Sequence, residues 1–199
     1  GELGSWDTSN VTNMDMMFYR TYGFNQDIEC WDVSNVTSMV GMFSNINANG
    51  AGQAGYDQSL NKWDVSNVTN MESMFAGTKN FNSKIIDWDV SKVTNMRNMF
   101  SNCDEFNQPI GDWDVSNVTT MESMFTGRNF NQDITKWNVS KVTHMEKMFF
   151  SNKRFNQKIG GWNVSNVKGD EEFESMFAGA MRFNQDISDW CVSNVSKKP

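Results

Sequence analysis

Five aspartates, Asp7, Asp32, Asp64, Asp89 and Asp114, occupy the same place in a recurring W-D-x-S tetrad, and Asn138 and Asn163 take that place in the next two copies. Alternation around them points these side chains away from the core, so they are the candidates for a ligand face. Three chemistries fit such a row. The carboxylates can accept hydrogen bonds from the turn that follows, near Ser34 or Ser66, which an Asn would do equally well. They can present a negative face to a basic partner. Or they can hold Ca²⁺ through oxygen ligands, a reading ranked third because no EF-hand-like or Gly-Asp nonapeptide loop is present. An evenly repeated ladder offers no differentiated acid and base. His144 is the sole histidine and stands where other copies have Asn, Ser or Thr. No Gly-rich phosphate loop, nucleophile elbow or metal-ligand cluster appears. The expectation is a non-enzymatic protein with no catalytic residues, no resident metal and no required cofactor.

Other recurrent polar residues read as structural. Seven N-x-[S/T] acceptors occur, at Asn10, Asn35, Asn67, Asn117, Asn138, Asn163 and Asn194. The repeat itself encodes them, so unmodified turn residues are the preferred reading and glycosylation the alternative. The Asn of F-N-Q (Asn25, Asn82, Asn107, Asn131, Asn156, Asn184) should form amide ladders or cap turns. Cys30, Cys103 and Cys191 lie at least two repeats apart, beyond the roughly 7 Å that a disulfide spans, so free thiols are expected.

What positions these residues is a repeat. Trp6, Trp31, Trp63, Trp88, Trp113, Trp137, Trp162 and Trp190 recur at intervals of 25, 32, 25, 25, 24, 25 and 28 residues. A fixed period in this range means one unit stacked on copies of itself. The consensus is I-x-x-W-D-V-S-N-V-T-x-M-x-x-M-F, a short spacer, then F-N-Q. Units begin near Leu3, Ile28, Leu60, Ile85, Ile110, Ile134 and Ile159, with a partial one at Ile187, so residues 1–199 form one array. Apolar columns of Ile, Trp, Val, Met and Phe run through it, and no single unit can bury its own share.

W-D-V alternates as a strand does. T-x-M-x-x-M-F places apolar groups at i, i+3 and i+4, as on one face of a helix. Thr69 with Glu72, Thr119 with Glu122 and Thr143 with Glu146 fit a capping box. The expected fold is therefore an α/β leucine-rich-repeat-like solenoid, about seven 25-residue strand–turn–short-helix units with one parallel β-sheet. The Gly-rich stretch 45–55 should bulge as a flexible loop, and the extra residues around 168–172 should form a second departure.

The net charge of −7 argues against nucleic-acid or anionic-membrane partners. No run is apolar enough for direct membrane insertion. The opening at Gly1 shows no leader and reads as a fragment or processed form.

The motif I-x-x-W-D-V-S-N-V-T-x-M parallels the L-x-x-L-x-L-x-x-N of leucine-rich repeats, and Phe after the second Met stands where BspA-like repeats have Ala-Phe. The fuller form W-D-V-S-x-V-T-x-M-x-x-M-F…F-N-Q resembles the mycoplasma-type surface-protein repeats, a domain of unknown function, over essentially the whole chain. That resemblance implies a surface-anchored or secreted protein, extracellular or at the cell surface, engaged in adhesion or recognition of a protein or glycan ligand. The sequence departs from that pattern at its ends, where there is no lipobox cysteine, wall-anchor motif or dedicated cap. Open apolar ends make end-to-end self-association into a filament or surface layer the alternative, and a calcium-stabilised scaffold the third reading.

Overall fold

A computed structural model describes residues 3–47, 52–169 and 171–192. Successive repeats stack, and each apolar column forms one strip of a continuous core running from Met14 to Trp190. Ile110, Trp113, Val115, Val118, Met121, Met124, Phe125 and Phe130 of one unit are all buried. The rings pack along the stack: Phe75, Phe100, Phe125 and Phe149 follow one another at centroid steps of 5.8, 5.9 and 5.8 Å. Within a unit the two Phe columns meet face to face, as in Phe100 and Phe106 at 3.8 Å. Aromatic contacts of this kind add to the burial of large apolar area.

The expected α/β leucine-rich-repeat fold does not form. Among the described residues the one regular element is a 3-10 turn, Leu3–Ser5, and repeats pair only through isolated parallel bridges such as Asn95↔Thr120 and Thr120↔His144. Among the described residues there is no parallel sheet and no helix of the expected kind. The chain is a stack of irregular turns.

The reason is visible in the backbone hydrogen bonds. In T-x-M-x-x-M-F the amides take two directions in alternation. Met121, Ser123, Phe125 and Gly127 donate to His144, Glu146, Met148 and Phe150 of the next repeat at 2.9, 2.9, 2.9 and 3.1 Å. Met124 and Thr126 instead close local turns onto Met121 and Ser123 at 3.1 and 3.2 Å. A left-handed residue makes the alternation possible: Met16, Ser73, Asn98, Ser123, Lys147 and Ser175 have φ between 53° and 56°, and Gly41 has 59°. An α-helix excludes such a residue, because its Cβ crowds the following carbonyl. The i, i+3, i+4 pattern therefore reports two consecutive turns with Met and Phe inward.

The capping-box reading falls with the helix. Thr119 donates both its amide, at 2.8 Å, and its hydroxyl, at 3.1 Å, to the Thr94 carbonyl of the preceding repeat. Thr69 and Thr143 repeat the arrangement on Thr37 and Thr119. Along W-D-V the side chains alternate inward and outward as expected, but side chains replace the backbone ladder. Each buried Trp donates its indole N–H to the Ile or Leu carbonyl of the preceding unit, as Trp113 does to Ile85 at 3.2 Å and Trp31 to Leu3 at 2.9 Å. Seven of the eight tryptophans are 3–5% exposed, whereas Trp6 is 52% exposed.

The stretch 45–55 is also corrected where it is described. It is seated on the next layer. Asn45 donates to Ala76 at 2.9 Å and Gln53 to Gly77 at 2.8 Å, and Lys79 donates back to Gln53 at 3.0 Å. Gly52 permits this approach, since a Cβ there would lie 2.4 Å from the Gly77 carbonyl oxygen.

Candidate functional site

The seven residues of the aspartate/asparagine row are all exposed. Each accepts a hydrogen bond from the amide of the serine two residues on: Asp32 from Ser34, Asp64 from Ser66, Asp89 from Ser91 and Asp114 from Ser116 at 3.0 Å, Asp7 from Ser9 at 3.1 Å, and Asn138 and Asn163 from Ser140 and Ser165 at 3.2 Å. The serine hydroxyl adds a second bond to Asp7 and Asp32 at 2.6 Å. These are Asx-turns, in which a short polar side chain imitates a backbone turn.

Neighbouring carboxylates work against one another, Asp7 on Asp32 and Asp89 on Asp114, yet the serine hydrogen bonds outweigh that repulsion and hold Asp32 and Asp114 below the ordinary aspartate value of 3.8. The row is therefore a set of pre-shaped turns. Replacing Asp114 by Asn should lower the thermal midpoint only slightly, because Asn138 and Asn163 already accept the serine amide in the same turn. Replacing it by Ala should lower the midpoint further. Equal midpoints for the two variants would remove the turn from the account.

The glycosylation candidates divide by environment. The side-chain amides of Asn35, Asn67 and Asn117 donate to the carbonyls of Ser9, Ser34 and Ser91 in the preceding repeat at 2.8, 2.8 and 2.7 Å. The nitrogen that would carry a sugar is thus committed to the stack. Asn10 is exposed, Asn138 and Asn163 belong to the Asx row, and Asn194 lies outside the described residues. On another edge the F-N-Q asparagines form a ladder. Asn82 accepts from Asn107 at 3.0 Å, Asn107 from Asn131 at 2.9 Å and Asn131 from Asn156 at 2.9 Å. Cys30, Cys103 and Cys191 are free thiols, and only Cys103 is buried. It donates to Phe75 at 2.8 Å, and burial pushes its thiol up.

A second polar surface holds His144. The imidazole lies 2.8 Å from the Thr143 hydroxyl and 3.7 Å from Glu172, and Arg97 pairs with Glu122 at 2.8 Å. Desolvation raises Glu122 above its ordinary 4.5, opposed by Arg97 and assisted by Glu146. Desolvation also raises Glu172, opposed by His144. These signs set a pH dependence. The depressed aspartates stabilise the fold above 3.8 and lose that contribution as pH falls through their lowered folded values. The raised glutamates stabilise it when protonated and lose that contribution as pH rises from 4.5 through their folded values. Thermal stability should therefore be highest in acidic solution, where the aspartates are ionised and the raised glutamates are still protonated, and the Glu122→Gln/Glu172→Gln variant should flatten the decline toward neutrality. A midpoint that climbs steadily from acid to neutral pH would contradict the assignment.

Among the described residues no group of three or more His, Cys, Asp or Glu side chains is placed to hold a metal ion. A chelator should leave the thermal midpoint unchanged; a lowered midpoint that calcium restores would revive the calcium scaffold.

One concavity was not singled out by sequence. A groove of about 350 Å³ is lined by Gly52, Lys79, Asn102, Asp104, Gly127, Arg128, Ser151 and Lys153. Its residues come from the spacers between the two Phe columns, one spacer per layer, with Gly52, next to the seated Gln53, at the Lys79 layer. The signal lay in the register. Lys79, Asp104, Arg128 and Lys153 each stand two residues before the second Phe of their unit, in four successive layers.

The family model described as "Mycoplasma protein of unknown function, DUF285" matches residues 1–53, 47–134 and 113–198. No curated protein and no solved structure matches the chain.

Proposed function

Because the chain belongs to the Mycoplasma family of unknown function DUF285, we propose that it is a non-enzymatic recognition module, extracellular or at the cell surface, that binds a protein or glycan ligand along the extended face of its stacked repeats. The observation that carries this reading is the fixed periodic surface. Exposed polar groups recur once per layer and are held in place by their own turns, as Asp32, Asp64, Asp89 and Asp114 are by serine amides. Preorganised polar groups bind with less ordering cost than mobile ones. No group along these rows is differentiated from its neighbours as catalysis requires. The test is a screen of the whole chain against immobilised extracellular-matrix proteins and a glycan array. Saturable binding to a defined class supports the reading, and no saturable binding at high protein concentration overturns it.

The structural alternative is a stack that continues from one chain into the next. The first described layer leaves Trp6, Met16, Met17, Tyr19 and Tyr22 exposed. In the next layer, by contrast, the Ser38, Val40, Met42 and Ser44 carbonyls accept bonds from the layer before, at 3.0, 2.7, 2.9 and 2.8 Å. A second chain could continue the stack there, giving a filament or surface layer. Concentration-dependent light scattering supports this alternative, and a strictly monomeric particle at high concentration eliminates it.

A further inference from the structure

The geometry points to the groove lined by Lys79, Arg128 and Lys153 as a binding site for an anionic glycan, a sugar chain bearing sulfate or carboxylate groups. This deepens the recognition reading and rests on it. The chain carries a net charge of −7, yet the charged lining of this groove is three cations and one carboxylate, Asp104. Lys79, Arg128 and Lys153 are exposed, and none of them enters an ion pair among the described residues, where the cations that do are Lys62, Arg97, Lys136 and His144. Unpaired cations that converge on one concavity of an acidic protein concentrate positive potential there.

Their placement is built. The Lys79 amide is bonded to Gln53, and Gly52 closes one end of the groove. Arg128 follows Gly127, with φ of 140°, and Lys153 lies two residues after Ser151, with φ of 56°, in tight spacer turns. From the layer of Lys79 to that of Lys153 the stack advances by the three Phe-to-Phe steps of 5.8, 5.9 and 5.8 Å. The cations therefore stand in the first, third and fourth of these layers, with Asp104 in the second, a spacing that suits separate anionic groups on one extended chain.

The rest of the lining selects among polyanions. Asn102, Ser151 and two glycines offer a polar surface suited to sugar hydroxyls. No aromatic ring lines the groove, so it lacks the stacking platform on which single-stranded nucleic acid relies. Nor does it offer an apolar pocket of the kind that anchors a peptide side chain.

The test compares the wild-type chain with K79E/R128E/K153E and with K84E/K158E/K168E, a control of equal charge change outside the groove. Titration calorimetry would use a heparin-derived hexasaccharide, a hyaluronan hexasaccharide, neutral dextran, polyglutamate and an oligothymidylate, with thermal melts verifying that all three chains are folded. The expected result is saturable, salt-sensitive binding of the sulfated or carboxylated sugar. The groove variant should weaken it by about tenfold, the scale of three lost exposed charge contacts, while the control binds as wild type does. The inference is overturned if the groove and control variants bind alike, if polyglutamate or oligothymidylate binds wild type as tightly as the sugars, or if neither anionic sugar binds wild type. A ligand from the array screen that binds the groove variant undiminished would overturn the groove alone and leave the recognition reading standing.

Discussion

Trp113→Ala should destabilise the protein by about 3–5 kcal/mol, the range for truncating a large buried aromatic. The residue is 4% exposed, stacks 6.4 Å from Trp88, lies tilted with its centroid 6.3 Å from that of Phe100, and donates its indole N–H to Ile85 at 3.2 Å. Truncation removes these contacts and leaves the Ile85 carbonyl with the Trp88 amide, at 3.3 Å, as its remaining donor. In a stacked array each layer contacts only its neighbours, so damage at a middle layer weakens the interfaces on both sides. Trp113→Phe should fall between Ala and wild type, keeping a ring and losing the indole donor. Trp6→Ala should cost far less, because Trp6 is 52% exposed. Denaturant unfolding of the four chains gives the ranking, and equal losses at Trp6 and Trp113 would contradict the assignment of the tryptophans to a buried inter-layer ladder.

Lys147→Gly should stabilise the protein, and Lys147→Val should destabilise it, each by about 1 kcal/mol or somewhat more, since a left-handed backbone costs an L-residue roughly 1–2 kcal/mol and costs glycine almost nothing. Lys147 has φ of 53° and donates its amide to Glu174 of the next layer at 2.9 Å. The sign for glycine is what discriminates. In a helix interior glycine is among the least favourable residues, roughly 1 kcal/mol worse than Ala. A helical M-x-x-M-F segment would therefore make Lys147→Gly the destabilised variant. Thermal or urea unfolding of the two variants reads the sign directly.

The particular residues explain what sequence could and could not convey. Apolar columns were legible because burial in a stack demands the same side chain at the same place in every layer. Ile85, Ile110 and Ile134 are each fully buried, as are Met96, Met121 and Met145. The Asx-turns were legible because Asp and Asn are interchangeable as acceptors for the serine amide. The helix was misread because inward spacing at i, i+3 and i+4 is common to a helix and to two successive turns. The feature that separates them, a left-handed residue, is borne by Met, Ser, Asn and Lys as well as by Gly41. The sheet was misread because W-D-V alternates like a strand while Trp and Asn side chains, through the indole N–H and the amide, supply the cross-layer bonds. The groove was illegible because Lys79, Asp104, Arg128 and Lys153, each two residues before the second Phe of its unit, mix signs along the sequence, and the concavity they line exists only once the layers are stacked.

Hydrogen-bond scalar coupling at the Ser123 amide tests the central claim, the cross-layer bonding of successive turns that builds both the polar rows and the groove. Nuclear magnetic resonance of the isotope-labelled chain should show Ser123 N–H coupled to the carbonyl of Glu146, in the next repeat, across the 2.9 Å bond. Coupling to the carbonyl of Thr119, the residue a helix would place four positions back, would contradict it and return the segment to the helical fold.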